Sequence, residues 1–401
     1  MIKKMHVLSV LFLFLVLLFA GCQEDSNAPT DPIDNSGSTD QSLSKYGGSD
    51  DGYYDFDSHY RGNSNAVYTL SNSISGNEVI VYRSRHGKLY SAGSYSTGGL
   101  GTGGGLGSQG AIIVRGNFIF AVNAGSNEVS VLVDGRNGLR LIDKVPSGGI
   151  MPISLTVHRN LLYVLNAGDD GNINGFNISH QGKLTPISGS TRPLSTTASG
   201  PAQIEFNPLG NVLVVTEKAT NSITTYAVGN DGIASAPNNQ PSAGDTPFGF
   251  EFDRRGRLIV SDAYGGGDLL GAMSSYNVSP GGISLISGPV ANTQTAPCWV
   301  VITKNGKFTY TSNTGTGNIS GYWIKHDGTL ELFNDGGNTG STGEGSKPID
   351  MAINNSSQYL YCLNGGNQTI SVFRIDNRHG GLKPIQTVSG LPVGSVGLAA
   401  N

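Results

Sequence analysis

Charged side chains are scarce in this chain and make up 13% of its 401 residues, against an average of about 25%. Long surface helices with Glu/Lys faces are therefore excluded, and no helical pattern is convincing beyond the N-terminal leader. The chain also lacks a basic block and any Lys/Arg stripe interleaved with aromatic residues. Nucleic acid is therefore not an expected partner, and the net charge of −4 implies no other.

Cysteine is also rare, and the motifs of several common chemistries are missing. Of the three cysteines, Cys298 and Cys362 lie in apolar runs, where buried thiols are favoured over a disulfide between them. No residues have metal-ligand spacing, and no G-x-S-x-G or H-E-x-x-H motif is present, so neither a metal nor a cofactor is expected. The glycine-rich stretch 98–110 lacks the Lys-Ser/Thr of a phosphate loop and is predicted to be a flexible connection.

Glycine, in contrast, is abundant, with 59 residues, about twice the average share. At this density, with no collagen period and no proline surplus, glycine indicates many tight turns. Between these turns lie short alternating segments rich in Val, Ile, Thr, Tyr and Phe, which is the pattern of β-strands. We therefore predict an all-β protein.

The N-terminus has the features of a secretion signal. Lys3 and Lys4 precede an apolar core from Val7 to Ala20, which has signal-peptide length and is too short to span a bilayer comfortably. The small residues before Cys22 resemble a bacterial lipobox, in which the cysteine is lipidated. The alternative is a plain secretory signal that contains a cysteine.

The lipobox resemblance implies a lipid-anchored protein of a bacterial cell envelope, and Gln23 after the cysteine favours the outer membrane. We divide the chain into a signal peptide at 1–21, the lipidated cysteine with a polar tether at 22–62, and a domain at 63–401. The tether is rich in Ser, Asp, Gly, Asn and Pro, so it cannot bury a core. Membrane contact is expected through the lipid anchor only.

One unit recurs seven times after residue 63: an apolar strand ending in a polar residue, a turn, an alternating strand and a glycine turn. Equivalent positions lie 43 to 52 residues apart, from Tyr68 to Tyr361, and this spacing is typical of propeller blades. The apolar strands are VYTLSN (67–72), IFAVNAG (119–125), LYVLNAG (162–168), LVVTEKA (213–219), LIVSDAY (258–264), TYTSNTG (309–315) and LYCLNGG (360–366).

A proline-headed apolar strand precedes each copy from the third onward, and proline is tolerated at the first residue of a strand. The first copy has no such strand, whereas the last copy is followed by a surplus one at 391–398. We predict a seven-bladed β-propeller in which this C-terminal strand completes the first blade and closes the ring. The prolines are Pro152, Pro201, Pro247, Pro297 and Pro348.

The pattern of a proline-headed strand, LYVxNxG, I-x-x-Y/F-x-I and dG-x-L, with a closing C-terminal strand, resembles the lactonase-family β-propellers over residues 63–401. That family includes 6-phosphogluconolactonase-like and carboxymuconate-cyclase-like proteins. Members often carry Pro-His at the start of strand one, which implies a channel histidine, but none of the five prolines here precedes His. No Arg lies beside them either, so a phosphorylated lactone is not supported.

The catalytic site is predicted at the rim where strand one of each blade starts and strand two ends. Most blades end strand two in Asn, which caps turns through its side chain and has a structural explanation. Glu217 and Asp262 replace it in blades four and five, and two carboxylates near one rim can act as general acid and base. The alternative is that both lie in surface turns, with Glu217 paired to Lys218.

Other residues of the same rim are candidates for ligand binding. Phe248 and Trp299 offer a stacking wall for a sugar or aromatic ring, although such side chains often pack between blades instead. The histidines of the domain fall in polar turns and are expected to be solvated. The predicted binding set is Gln203, Phe248, Trp299, Asn166, Asn313 and Asp350.

Two functions from different classes are consistent with the sequence. The first is an extracytoplasmic lactonase-like hydrolase that opens a lactone or similar small cyclic ester, using Glu217 and Asp262. The second is a non-catalytic propeller that binds a protein, peptide or glycan at the cell surface, which the missing histidine favours. The expected ligand is a small molecule or glycan, and the protein is expected to be a monomer.

Overall fold

The computed structural model describes residues 65–401, which form a closed ring of seven antiparallel blades. The predicted signal peptide, Cys22 and the tether lie outside the described residues. Blade 1 contains β1 (Ala66–Leu70), β2 (Glu78–Arg85), β3 (Lys88–Ser96) and β30 (Val396–Ala400). Blade 2 contains β4 (Ile112–Arg115), β5 (Phe118–Asn123), β6 (Glu128–Gly135) and β7 (Gly138–Pro146). Blade 3 contains β8 (Pro152–His158), β9 (Leu161–Asn166), β10 (Asn172–Ile178), β11 (Leu184–Pro186) and β12 (Arg192–Pro193).

The remaining four blades follow the same plan. Blade 4 contains β13 (Pro201–Phe206), β14 (Val212–Glu217), β15 (Ser222–Ala227) and β16 (Asn238–Pro241). Blade 5 contains β17 (Pro247–Phe252), β18 (Arg257–Asp262), β19 (Ala272–Ser279) and β20 (Gly282–Ala291). Blade 6 contains β21 (Pro297–Ile302), β22 (Phe308–Asn313), β23 (Asn318–Ile324), β24 (Leu330–Leu332) and β25 (Gly340–Ser341). Blade 7 contains β26 (Pro348–Ile353), β27 (Tyr359–Asn364), β28 (Thr369–Ile375) and β29 (Leu382–Ser389).

The predicted ring closure is confirmed. Strand β30 pairs antiparallel with β1, with Tyr68 opposite Ala399 and Thr69 opposite Leu398, and it is the innermost strand of blade 1. It begins at Val396 rather than at residue 391, because a turn at Val393 and Gly394 precedes it. Each of the five predicted prolines is the first residue of an innermost strand.

The ring has two faces, a lower and an upper one, which differ in the turns that they carry. The lower face carries the turns that join strand one to strand two and strand three to strand four of each blade. The upper face carries the turns between strands two and three and the connections between blades. Strand one of every blade borders the central channel and runs from the upper to the lower face.

Neighbouring blades are joined by side chains that form hydrogen bonds with the innermost strand of the following blade, along the edge of that strand that has no strand partner. Such an edge has backbone groups without a strand partner, and leaving them unpaired would be costly. Side-chain oxygens of the preceding blade accept from these N–H groups in four seams. The bonds are Ile204 N to Ser154 Oγ (3.2 Å), Phe250 N to Gln203 Oε1 (2.8 Å), Ile302 N to Glu251 Oε2 (3.2 Å) and Leu398 N to Asp350 Oδ2 (2.9 Å).

Tyrosines at the middle of strand two repeat this joining role farther from the channel. Their rings are buried in the core between blades, and each hydroxyl reaches a group of the next blade near the lower face. The contacts are Tyr68 with Asp134, Tyr163 with the Gly232 carbonyl, Tyr310 with the Gly380 carbonyl and Tyr361 with Ser84. The repeated aromatic residue of the sequence is therefore a bridge between blades.

Removal of residues 396–401 is predicted to abolish cooperative folding. The deletion exposes the β1 edge and leaves Asp350 without the Leu398 N–H. It also removes Val396, Leu398 and Ala399, which are all buried, so the loss exceeds about 5 kcal/mol, comparable to the net stability of a domain. Urea unfolding followed by circular dichroism checks this, with removal of residues 22–62 as the matched control. A cooperative transition of unchanged midpoint after the C-terminal deletion would contradict the closure.

Candidate functional site

Glu217 lies at the upper end of strand β14 and is completely buried. Its carboxylate accepts from Ser195 N at 3.1 Å, from the Ser195 hydroxyl, and from Thr224 Oγ1 at 2.7 Å. The neighbouring Lys218 Nζ donates to the carbonyls of Gly107 and Pro201. Glu217 is thus held within its own blade and the connection before it.

Asp262 occupies the equivalent position in blade 5 and is also completely buried. Its Oδ2 accepts from Ser274 Oγ at 2.5 Å, whereas its Oδ1 has no hydrogen-bond partner among residues 65–401. Burial raises the pKa of Asp262 to about 7. In blades 2, 6 and 7 an Asn takes this position and donates to the matching hydroxyl, as Asn313 does to Ser320. The structure gives Glu217 and Asp262 separate partners, and their catalytic role stays a prediction.

The six predicted binding residues are all buried and have partners inside the fold. Phe248 and Trp299 pack together with ring centroids 5.2 Å apart, and the Lys218 ammonium lies 4.5 Å from the Phe248 ring centroid. Gln203 and Asp350 form hydrogen bonds with the innermost strand of the following blade, at Phe250 and Leu398. Asn313 Nδ2 donates to Asn318 and Ser320, and Asn166 Nδ2 donates to Asn172 Oδ1 at 2.8 Å.

A plug closes the upper mouth of the channel. Residues 105–110, at the end of the glycine-rich stretch between blades 1 and 2, cross to the opposite side of the ring. Gln109 N donates to the Ala202 carbonyl of blade 4, while its side-chain amide bonds both the N–H and the carbonyl of Val300 in blade 6, at 3.1 and 2.7 Å. The Trp299 indole donates to the Ser108 carbonyl at 2.9 Å. This stretch therefore has fixed partners, and the predicted flexible connection is wrong.

Close approach explains why the stretch and the strand beneath it need glycine. A Cβ at Gly101 would lie 2.1 Å from the Asn72 backbone, and one at Gly249 would lie 2.5 Å from Gln109 Oε1. The space that remains beside the plug measures about 20 Å³, which is room for about one water. A ligand cannot enter the channel from the upper face in this conformation.

The channel is open instead toward the lower face, where it holds a cavity of about 320 Å³. This volume lies within the range of small-molecule sites, roughly 300–1,000 Å³. Its floor is formed by the plug, at Gln109 and Gly110, and its wall combines aliphatic side chains with polar groups. Polar groups enter it from five blades: Arg115, Thr156, Gln203, Glu205, Glu251 and Lys304.

Glu205 and Glu251 form an acidic pair on one wall of this cavity. They occupy the same position on β13 and β17, and both side chains are partly accessible from the channel. Burial raises the pKa of Glu205, and the charge of Glu251 raises it further. Burial also raises the pKa of Glu251, whereas Lys304 and the Ile302 N–H favour its charged form. Two such carboxyls can hold one proton between them and act as acid and base.

This pair was not predicted from the sequence, because the candidate residues were confined to the rim next to the prolines. A signal was present: AQIEF and FGFEF each place a lone Glu between two apolar residues, four positions after the strand-one proline. A charged residue inside an apolar strand of a buried sheet needs an explanation. Its recurrence in adjacent copies would have indicated a channel-facing pair.

Other reactive groups do not form a second centre in the part of the chain that the structure describes. The histidines at 86, 180, 326 and 379 lie in lower-face turns, and His158 is the last residue of strand β8 at the same face. The buried thiols of Cys298 and Cys362 form no disulfide within residues 65–401. These residues contain no group of three potential metal ligands and no helix long and apolar enough to cross a bilayer.

Comparison with known proteins identifies the family. The family described as "Lactonase, 7-bladed beta-propeller" matches residues 188–263 and 282–396, which include most of blades 4 to 7. This chain belongs to the lactonase family of seven-bladed β-propellers. The matched region carries both Glu205 and Glu251.

Solved structures share the fold of this lactonase-family propeller. A candidate 6-phosphogluconolactonase from Bacteroides fragilis is 18% identical, with a TM-score of 0.62 over 84% of this chain and 98% of that one. The periplasmic gluconolactonase of Pseudomonas aeruginosa is 15% identical, with a TM-score of 0.60 over 82% and 98% of the two chains. A protein of unknown function from Desulfotomaculum acetoxidans is 14% identical, with a TM-score of 0.66 over 83% and 98%. At these identities the likeness shows the fold alone.

Asp262→Asn is predicted to raise the free energy of unfolding near neutral pH and to change it little at acid pH. The folded protein keeps a proton on Asp262 up to about pH 7, whereas the unfolded chain releases it near about pH 4. Stability from this group is therefore present below about pH 4 and falls as pH rises toward 7, by up to about 1.4 kcal/mol per pH unit. Urea unfolding across this range measures the slope, with the exposed Asp170→Asn of blade 3 as control. Equal slopes in wild type and Asp262→Asn would contradict the assignment.

Gln109→Ala is predicted to open the plug and expose Trp299. The substitution leaves one N–H and one carbonyl of Val300 unpaired, at a cost of about 1–3 kcal/mol. In a Trp323→Phe background, acrylamide quenching reports on Trp299 alone, which is 2% exposed. Gln240→Ala is the matched control, because Gln240 bonds Ile283 N–H and carbonyl in the same way on outer strands. Unchanged quenching in Gln109→Ala would mean that the plug does not seal the mouth.

Proposed function

We propose that this lactonase-family propeller hydrolyses a small cyclic ester in the lower cavity of its channel. The observation that carries the proposal is the Glu205–Glu251 pair, two carboxyls whose charges interact and that face one cavity of ligand size. Family membership makes a lactone the first substrate class to test, but fold alone does not decide activity. The plug supports the proposal, since a blind cavity limits the water that reaches the reacting atoms.

The environments of the two carboxyls assign their roles. Lys304 favours charge on both carboxyls, but the Ile302 N–H donates to Glu251 alone, so Glu251 is the general base that takes a proton from the attacking water. Glu205, neutral at the same time, is the general acid that protonates the ring oxygen as the acyl C–O bond breaks. Gln203 positions Glu205 by donating from Nε2 to Oε2 at 3.2 Å while bonding Phe250. The product is the open hydroxy acid.

We also propose that the mature protein works outside the cytoplasm, lipid-anchored through Cys22 in the cell envelope. The lipobox-like leader in the sequence supports this proposal. Arg115 and Lys304 line the lower cavity, so the lactones to test include members that carry a carboxylate or a phosphate group.

Glu205→Gln and Glu251→Gln are each predicted to lower lactone turnover by about 10²–10⁴-fold, the usual contribution of a general acid or base. Glutamine keeps the shape and hydrogen bonds of each side chain, so folding is retained. Acid release from a panel of lactones measures the rate. The matched controls are Glu217→Gln and Asp262→Asn, which change the carboxyls predicted from the sequence and are expected to alter turnover less than about threefold.

The controls also separate the competing assignments. Loss of turnover in Glu217→Gln or Asp262→Asn alone would move the chemistry to the upper rim. Absence of turnover in the wild type across the panel, with a ligand still bound in the cavity, would favour the non-catalytic binding propeller instead.

A further inference from the structure

Exposed cations outnumber exposed carboxylates on the lower face of the propeller. Exposed carboxylates lie in upper-face loops, at Asp169, Asp170, Asp245, Asp268 and Glu344, and in three lower-face turns, at Asp231, Asp327 and Asp376. The lower-face turns carry exposed Lys or Arg side chains in six of the seven blades. One representative per blade, from blade 1 onward, is Lys88, Arg136, Arg159, Arg254, Lys307 and Arg378.

The cations form a ring and do not line a groove. They lie at the strand one–two turns of blades 3, 5 and 6 and at the strand three–four turns of blades 1, 2 and 7, so the ring closure itself sets them around one face of the disc. A groove that follows a single polymer strand would need them aligned along one line. Cations spread around a disc instead match a flat anionic surface, where each contributes through the surface potential.

Blade 4, which has no cation in its lower-face turns, carries an exposed hydrophobic side chain there instead. The turn of blade 4 between β13 and β14 carries Leu209, whose side chain is 77% exposed, more than any other large hydrophobic residue of residues 65–401. Pro208 precedes it and fixes the backbone before it. A protruding leucine within a ring of cations is the arrangement by which peripheral proteins enter the headgroup layer of a bilayer.

The chain also enters the propeller on this face. Ala66 N donates to Asn401 Oδ1 at 2.8 Å, and Asn401 N donates to the Ala66 carbonyl at 3.1 Å, at the lower ends of β1 and β30. Any anchor at Cys22 therefore connects to the propeller through the lower face. We propose that the lower face docks on an anionic lipid bilayer, with Leu209 inserted among the headgroups.

This inference goes beyond the proposed hydrolase and is tested without substrate. The probe is a set of vesicles of phosphatidylcholine with about 30 mol% phosphatidylglycerol, compared with phosphatidylcholine alone. The protein is the chain from residue 22 to 401 with Cys22→Ser, which removes any acyl chain. Flotation is expected to recover protein with the anionic vesicles only, and to lose it in about 0.5 M NaCl because salt screens the attraction.

Two variants test the residues that carry the proposal. Combined Lys88→Gln, Arg136→Gln and Lys307→Gln is expected to lower partitioning about a hundredfold, since each cation near such a surface contributes about fivefold. Leu209→Ser is expected to lower it about tenfold. Leu269→Ser and Lys347→Gln, which change exposed upper-face residues, are the matched controls and are expected to leave partitioning unchanged.

Two results would overturn the proposal. Equal recovery with neutral and anionic vesicles would remove the electrostatic basis. Binding to dextran sulfate without binding to vesicles would identify an anionic polymer as the partner. Lactone turnover, measured without vesicles, tests the proposed function separately, and none of the substituted residues lines the cavity.

Discussion

The innermost strand of each blade has one edge that faces the channel and has no strand beside it, and the rest of the structure depends on how that edge is satisfied. An unpaired N–H or carbonyl away from water costs about 1–3 kcal/mol, so several such groups in every blade would exceed the net stability of a domain. Side chains of the preceding blade bond these groups in several seams, as Gln203 does with Phe250. Glutamine is used repeatedly because its amide offers a donor and an acceptor at once, like a peptide group. Three other glutamines bond both the N–H and the carbonyl of one residue in this way: Gln109 with Val300, Gln240 with Ile283 and Gln386 with Leu89.

The need to pair these strand edges also determines where the candidate site lies in the channel. In the upper half of the channel the plug and the seam side chains use the available backbone groups, and little space is left. In the lower half the ring is open, and the side chains that point inward meet no plug. Glu251 belongs to both systems, because it accepts the Ile302 N–H and also faces the cavity. A carboxylate held by a structural bond is preorganised, so the scaffold fixes the position of the proposed base.

The architecture could be predicted from the sequence because it repeats. A period of 43 to 52 residues, the strand-one prolines and the surplus C-terminal strand are local patterns, and each one corresponds to an element of the structure. The site could not be predicted in the same way, because it depends on contacts between distant residues. No local pattern reveals that Gln109 crosses to Val300, 191 residues later, and so turns the upper mouth into a closed end. Glu217 and Asp262 stood out as exceptions to a column of Asn, yet their burial depends on neighbouring loops, whereas Glu205 and Glu251 looked like ordinary strand residues.

Closure of the ring by β30 has a consequence for how the molecule responds to stress. In an open array of repeats, the terminal repeat has one neighbour and can detach while the others persist. Here every blade has two neighbours, so the opening of any one blade must break two interfaces and also expose a strand edge on each side. A repeat sequence that resembles seven separable units should therefore behave as a single cooperative body. Proteases that need an unfolded segment would find few partly open forms to attack, and the folded protein would persist until the whole ring unfolds cooperatively.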